Sequence, residues 1–171
     1  MNNLAVLLRM HGRNSEAVAA LRESIRAGGE DAGVRLNLGN ALLSVGRPAE
    51  ARLEFEKAGE LARAALRRNA RDAPSRARLA YSMGKLGDVS LAADEALQAA
   101  QLAPTEYLVI FWTAMTLEAA GRRAEILPLL DGATYDRLRE LRRQPDLAGL
   151  VRDPRFVALL EKARGTGTQN K

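Results

Sequence analysis

Four glycines constrain this chain more than any other feature. Gly12, Gly46, Gly87 and Gly121 each follow an apolar stretch of helical spacing, and they stand 34, 41 and 34 residues apart. The middle interval is longer by one heptad, and two helical turns drift by only about 20° in phase, so the same helix face still points inward. A period of this length describes a unit of two short helices, which cannot bury its own apolar stripe and must stack on its neighbours.

Aligned on the glycines, other positions recur. Seven residues before them stand Ala5, Gly39, Ala80 and Ala114, and five after stand Ala17, Ala51, Ala92 and Ile126. Large apolar residues recur at Leu8, Leu42, Met83 and Leu117, and in the second half of each unit at Leu21, Phe55, Ala96 and Leu130. Both halves carry stripes of 3.6-residue period. Glycine between them supplies the left-handed residue that ends a helix, and Asn14, Pro48, Asp88 and Ser90 are helix-start types just beyond it. Small residues where two helices cross let the backbones approach closely.

This pattern resembles the tetratricopeptide repeat (TPR). The resemblance covers about residues 1–133, as units 1–31, 32–72, 73–106 and 107–133. Its best copy is Leu38-Gly39 with Gly46-Arg-Pro-Ala-Glu-Ala51 and Phe55, followed by Leu79-Ala80, Gly87-Asp88, Ala92 and Ala103-Pro104. The first unit begins three residues late, with Met1 at the tryptophan position, which suits a fragment of a larger protein. The fourth carries Thr113, Ile126 and, inside its second helix, Pro128. The resemblance implies an all-α solenoid of four helix-turn-helix repeats in a right-handed superhelix.

The extra heptad falls in the second helix of unit two, so Pro48 to about Arg71 is expected to be one long helix. Arg63, Arg67, Arg68 and Arg71 then share one face. That face reads either as a solvated charged surface or as a contact for an anion or acidic partner.

Beyond unit four, residues 134–141, 144–150 and 153–160 read as short helices, with Thr134 and Asp153 as N-cap candidates and Pro154 at a first helical position. Residues 134–164 resemble the ending of many bacterial TPR arrays, including those trailing eukaryotic-type serine/threonine kinases and adenylate cyclases. Leu147, Leu150, Phe156, Leu159 and Leu160 are expected to cover the open face of the last repeat. Residues 165–171 are polar and small and are expected to be a disordered tail.

The composition removes most enzyme classes. There are no cysteines and one histidine, His11, so disulfide frameworks, thiolate chemistry and any triad or metal cluster needing two imidazoles are excluded. Phosphate-binding glycine loops and kinase signatures are absent. Asp94 and Glu95 are helix neighbours that point to different sides and do not converge as an acid/base pair. His11 falls at a helix end, where partial positive charge is welcome. No enzyme activity, cofactor or metal is expected.

The net charge is +5, with 15 Lys+Arg against 9 Asp+Glu in residues 1–85 and 11 against 12 in the remainder. Such a balance can serve nucleic acid, through Arg63, Arg67, Arg68, Arg71, Arg76 and Arg78. Two features weigh against it. Arginine outnumbers lysine 22 to 4 in an alanine-rich chain, which a compositional bias explains, and no polar base-reading side chain recurs from repeat to repeat. The strongest apolar run, Leu108-Val-Ile-Phe-Trp112, is far short of the roughly 18 residues of a membrane span, and Leu4–Leu8 lacks the features of a signal peptide. The reading is cytoplasmic, with no membrane contact.

In TPR proteins the first helices line a concave groove that receives an extended peptide or a partner helix. Carried across, the groove positions are Asn2, Val6 and Arg9; Leu36, Asn40 and Leu43; Ala77, Tyr81 and Lys85; and Leu108, Phe111, Met115 and Glu118. Tyr81, Phe111 and Met115 form the most apolar part, beside Trp112, and would anchor a partner side chain. Phe111 and Trp112 could equally pack against the cap. Some TPR proteins hold a chaperone's C-terminal carboxylate with five basic and Asn residues. Only Asn37 and Arg78 match here, the other three positions being Val6, Asn2 and Pro74, so that ligand is not expected. The function implied is a protein-interaction scaffold or adaptor in signalling. An atypical first repeat also leaves a face on which two copies could pair as a homodimer.

Overall fold

Each spacing glycine does what the period requires of it. Gly12, Gly46, Gly87 and Gly121 have φ of 74°, 74°, 116° and 71°. Beside each, the following residue donates its N–H to the carbonyl five positions earlier: Arg13 to Leu8, Arg47 to Leu42, Asp88 to Met83 and Arg122 to Leu117. This is the Schellman closure of a helix C-terminus. The acceptors are the recurring large apolar residues, so the residue that buries its side chain also ends its helix.

The computed structural model describes residues 2–167, and within them every regular element is helical. Three full hairpins come first: α1 (Asn2–Met10) with α2 (Asn14–Arg26), α3 (Ala32–Ser44) with α4 (Pro48–Arg68), and α5 (Ala73–Leu86) with α6 (Val89–Leu102). Then come α7 (Tyr107–Ala119), a 3-10 turn at Arg123–Glu125, α8 (Ile126–Leu129) and α9 (Tyr135–Arg142). A 3-10 turn at Pro145–Leu147, α10 (Ala148–Val151) and α11 (Pro154–Gly167) complete the described chain. Each second helix packs on the first helix of the next unit, and α1, α3, α5 and α7 also touch in series. The result is an all-α solenoid whose inner side is lined by those four helices.

Burial follows the register. Ala17, Ala51, Ala92 and Ile126 are inaccessible, as are Ala5, Ala80 and Ala114. Where unit two has Gly39 instead of alanine, the ring of Phe55 lies so close that a Cβ would overlap it. Glycine there is required by close approach, since its helical backbone would accept any residue.

Two ion pairs recur from unit to unit. One is a forked pair between the residue after the glycine and the glutamate three further on: Arg13–Glu16, Arg47–Glu50 and Arg122–Glu125, with N···O of 2.6–2.8 Å. It places a carboxylate in the first turn of a second helix, favourable to the helix dipole. The other ties the two helices of a hairpin, Arg35–Glu54 and Arg76–Glu95, both at 2.6 Å. The first helices of units two and three are capped by Asp31 and Asp72, which accept from the N–H groups of Val34 and Ser75.

The structure departs from the sequence reading at three places. Helix α4 ends at Arg68, because Asn69 turns extended (φ −144°, ψ 98°) and its Oδ1 accepts from the Arg71 N–H. Such an Asx turn competes with the helix. The second arm of unit four is a 3-10 turn and a single helical turn, as Pro128 lacks the N–H that a longer helix needs. Finally, α11 runs on to Gly167 where a disordered tail from residue 165 is expected, since an established helix adds residues at little cost. Residues 168–171 lie outside the described residues.

Candidate partner-binding groove

The inner side of the solenoid is not open along its length, because the chain's own C-terminal segment enters it. Arg9, on the inner face of α1, donates from Nη2 to Gln144 Oε1 at 2.8 Å and from Nη1 to Asp146 Oδ2 at 3.1 Å. Lys85 of α5 holds its Nζ 3.9 Å from the other Asp146 oxygen. Glu118 of α7 accepts from the backbone N–H of Leu150 at 3.1 Å, and its carboxylate is gripped by Arg123. Leu147 and Leu150 are fully buried. Gly149 lies against the Glu118–Arg123 pair so tightly that a Cβ would overlap both side chains.

These contacts join α1, α5 and α7 through one short segment. Arg9 is only 8% exposed, and a buried guanidinium needs an anion. Burial pulls the Lys85 ammonium below its ordinary range, with Asp146 opposing that shift and Arg9 adding to it. Burial raises the Tyr81 phenol, and the Asp146 charge adds to the rise. Tyr81 donates to Asn40 Oδ1 at 3.0 Å, packs on Trp112 with ring centroids 4.9 Å apart, and carries the Lys85 ammonium 5.1 Å from its own ring centroid.

The expected groove residues therefore fall into three groups. Leu36, Asn40, Ala77, Tyr81 and Met115 are buried. Arg9, Lys85 and Glu118 hold the C-terminal segment. Val6, Leu108 and Phe111 line an open cavity of about 550 Å3 between the inner helices and α9, whose wall mixes these apolar side chains with buried Arg9 and Gln144 and with charged residues of both signs, among them Arg78, Arg139, Arg143, Asp31, Asp136 and Glu140. Leu43 is exposed at its own place on α3, and the Asn2 side chain lies outside the described residues. Phe111 meets Trp112 edge to face at 5.0 Å. Both rings line the cavity, and Trp112 is also part of the buried core. Leu7 belongs to the same cavity and is exposed, as is Leu4 nearby on α1. Neither stands at a groove position carried over from the repeat pattern, although apolar residues bracketing an expected inner residue were the available signal.

Three of the four residues of the expected arginine face lie on α4. Arg63, Arg67 and Arg68 are exposed on α4 and make no ion pair with another described residue, while Arg71 lies beyond the helix end. Arg76 is committed to Glu95, and Arg78 turns into the cavity, its Nε buried without a hydrogen-bond partner. His11 Nδ1 lies 2.8 Å from the Leu7 carbonyl at the end of α1. Asp94 pairs with Arg122 while its neighbour Glu95 pairs with Arg76, which separates the two carboxylates as their helix spacing requires. No helix among the described residues is long and apolar enough to cross a membrane.

No protein-family model and no curated protein matches the chain. Solved structures do. Two of MamA, from MSR-1 and AMB-1, align with TM-scores of 0.42 and 0.43 at 18% and 19% identity, over 99% and 95% of this chain and 95% of each of theirs. A thermophilic TPR protein of Thermus thermophilus, TTC0263, aligns with a TM-score of 0.53 at 16% identity, over 98% of this chain and 90% of that one. What this chain shares with that protein is the fold, a TPR-type solenoid of helical hairpins.

Proposed function

We propose that this chain is a non-catalytic protein-interaction module that holds an extended peptide or a partner helix on its inner side, at the cavity between α1, α7 and α9. The observation that carries the reading is the cavity's construction. Leu7 and Leu108 lie 49% and 45% exposed beside Phe111, in a cavity whose lining bears both signs of charge. Exposed apolar side chains set among charged and polar ones suit a peptide side chain anchored among flanking polar groups. A TPR-type fold supports the same reading, as does a sequence with no cysteine and a single histidine.

The test is affinity capture from a source-cell lysate with the purified chain, at low salt and at about 0.5 M salt, where exposed charge contacts are screened. A Leu108→Asp variant runs alongside. It alters an exposed lining residue, whereas Met115, at 1% exposure, would report on stability. A discrete protein recovered at both salts and lost with Leu108→Asp supports the module. Nucleic acid recovered at low salt alone moves the function to the exposed arginines of α4, and no Leu108-dependent protein at either salt overturns the reading.

A further inference from the structure

The segment Gln144–Leu150 occupies the groove as a ligand would. It is short, a 3-10 turn followed by the first three residues of α10, and such pieces have little stability of their own. What holds it is a set of side chains drawn from three of the four inner helices: Arg9 and Lys85 on Asp146, Arg9 on Gln144, and Glu118 on the Leu150 N–H. Two leucines, three residues apart on one side of the segment, are buried, while the Asp146 side chain keeps 32% of its surface open to solvent. Arg9 and Lys85 face the same carboxylate from two helices, so its removal would leave two cations facing each other with no anion between them.

We propose that this inner surface is a recognition site for a short helical segment in which an acidic residue is followed by leucines one and four positions on. Its resident occupant is the chain's own Gln144–Leu150, and a protein partner carrying the same acidic-leucine chemistry takes the site by displacing it. The inference rests on the chain being an interaction module and names what that module reads: Arg9 and Lys85 take the carboxylate, Glu118 takes a free N–H, and the surrounding core takes the leucines. The resident segment competes as a tethered ligand, whose effective concentration is of the order of millimolar for a short flexible tether. A partner of equal chemistry therefore binds weakly to the closed chain and tightly to an opened one.

A fluorescein-labelled peptide with the sequence of residues 143–152 is titrated by anisotropy against the full chain and against the full-length Asp146→Arg variant. That substitution sets a third cation against Arg9 and Lys85 and weakens the tether without touching the buried leucines. The expected result is binding to Asp146→Arg at least tenfold tighter than to the unaltered chain, with a peptide carrying lysine in place of aspartate binding neither. Asp146→Asn, which keeps the shape and removes only the charge, is expected to move affinity in the same direction by a smaller factor, and it decides the matter if Asp146→Arg loses helical circular dichroism. Peptide affinity that is absent or unchanged in a helical variant overturns the proposal. So does a concentration-dependent dimer of the unaltered chain that binds no peptide, which would name a second copy as the occupant. The peptide experiment uses nothing from a lysate, so Leu108-dependent capture that persists without peptide binding would leave the interaction module standing and remove only this inference.

Discussion

Two glycine-to-alanine substitutions, identical in chemistry and both inside helices, are expected to change stability in opposite directions. A Cβ on Gly39 would overlap one atom of the Phe55 ring and lie 2.8 Å from two more. Phe55 is 2% exposed and confined on all sides, so its ring must shift as a rigid plate, and overpacking of that kind costs about 1–3 kcal/mol. Against this, alanine is better than glycine inside a helix by about 1 kcal/mol. With three ring atoms involved the cost lies at the upper end, leaving a net loss of about 2 kcal/mol. A Cβ on Gly84 would meet Ala92 Cβ at 3.5 Å and Thr116 Cγ2 at 3.9 Å, ordinary contact distances, so the helical gain survives at about 0.5–1 kcal/mol. Urea unfolding followed at 222 nm measures both. In a chain of this size the melting temperature should fall by about 4–8 °C for Gly39→Ala and rise by about 1–4 °C for Gly84→Ala. Phe55→Leu makes room for the added methyl, so Gly39→Ala in that background should keep only the helical gain of about 1 kcal/mol, a coupling of about 3 kcal/mol. Equal signs for the two glycines, or no coupling to Phe55, would refute the close-approach argument.

Three further outcomes follow from the same structure. Gly46 has φ 74° with open space around it, so Gly46→Val should destabilise through backbone strain alone, by about 1–3 kcal/mol, while Gly46→Asn loses much less. Calorimetry of the two variants separates strain from packing, and an unchanged Gly46→Val would remove the turn assignment. Arg35 pairs with Glu54 at 11% and 14% side-chain exposure, and Arg35→Met should cost about 2 kcal/mol by leaving a largely buried carboxylate without its partner; Arg13→Met, at an exposed pair, should leave the melting temperature unchanged. The Arg155 side chain and N–H hold the Asp153 carboxyl at about 2, below its ordinary 3.8. A depressed carboxylate stabilises above its unfolded value and loses that contribution as pH falls from about 4 to about 2. Carboxyl-carbon NMR should place its midpoint near 2 in the folded chain, and a midpoint near 4 would show that the α11 cap is not formed.

Much of the fold was legible because its determinants are local and repeated. The four glycine turns, the small residues at the helix crossings and the large residues that close each helix could be read in register from the chain alone. Asp153 with Pro154 was likewise readable as the start of α11. Some recurrent signals went unread, notably Asp31 and Asp72 fifteen residues before their glycines and the Arg–Glu pairs after the glycines. These were available in the spacing, and they show that Arg13, Arg35, Arg47, Arg76 and Arg122 are held in intramolecular pairs. The end of α4 was misread because periodicity continues through Asn69, whereas the side chain of Asn69 diverts the backbone.

The groove is where local reasoning stops. Sequence by itself determined that four stacked units expose an inner face, and it named Arg9, Tyr81, Lys85, Phe111 and Glu118 as belonging to that face. It also marked Gln144–Leu150 as a short, partly apolar element. Only the tertiary structure decided that these meet, since Arg9 and Asp146 lie 137 positions apart and no pattern along the chain couples them. Their encounter depends on the curvature that stacked hairpins accumulate, a sum of small crossing angles set by many side-chain volumes at once. The fold sets the first helix against residues 144–146, turning an expected open groove into one occupied by the chain's own acidic segment, with a cavity beside it.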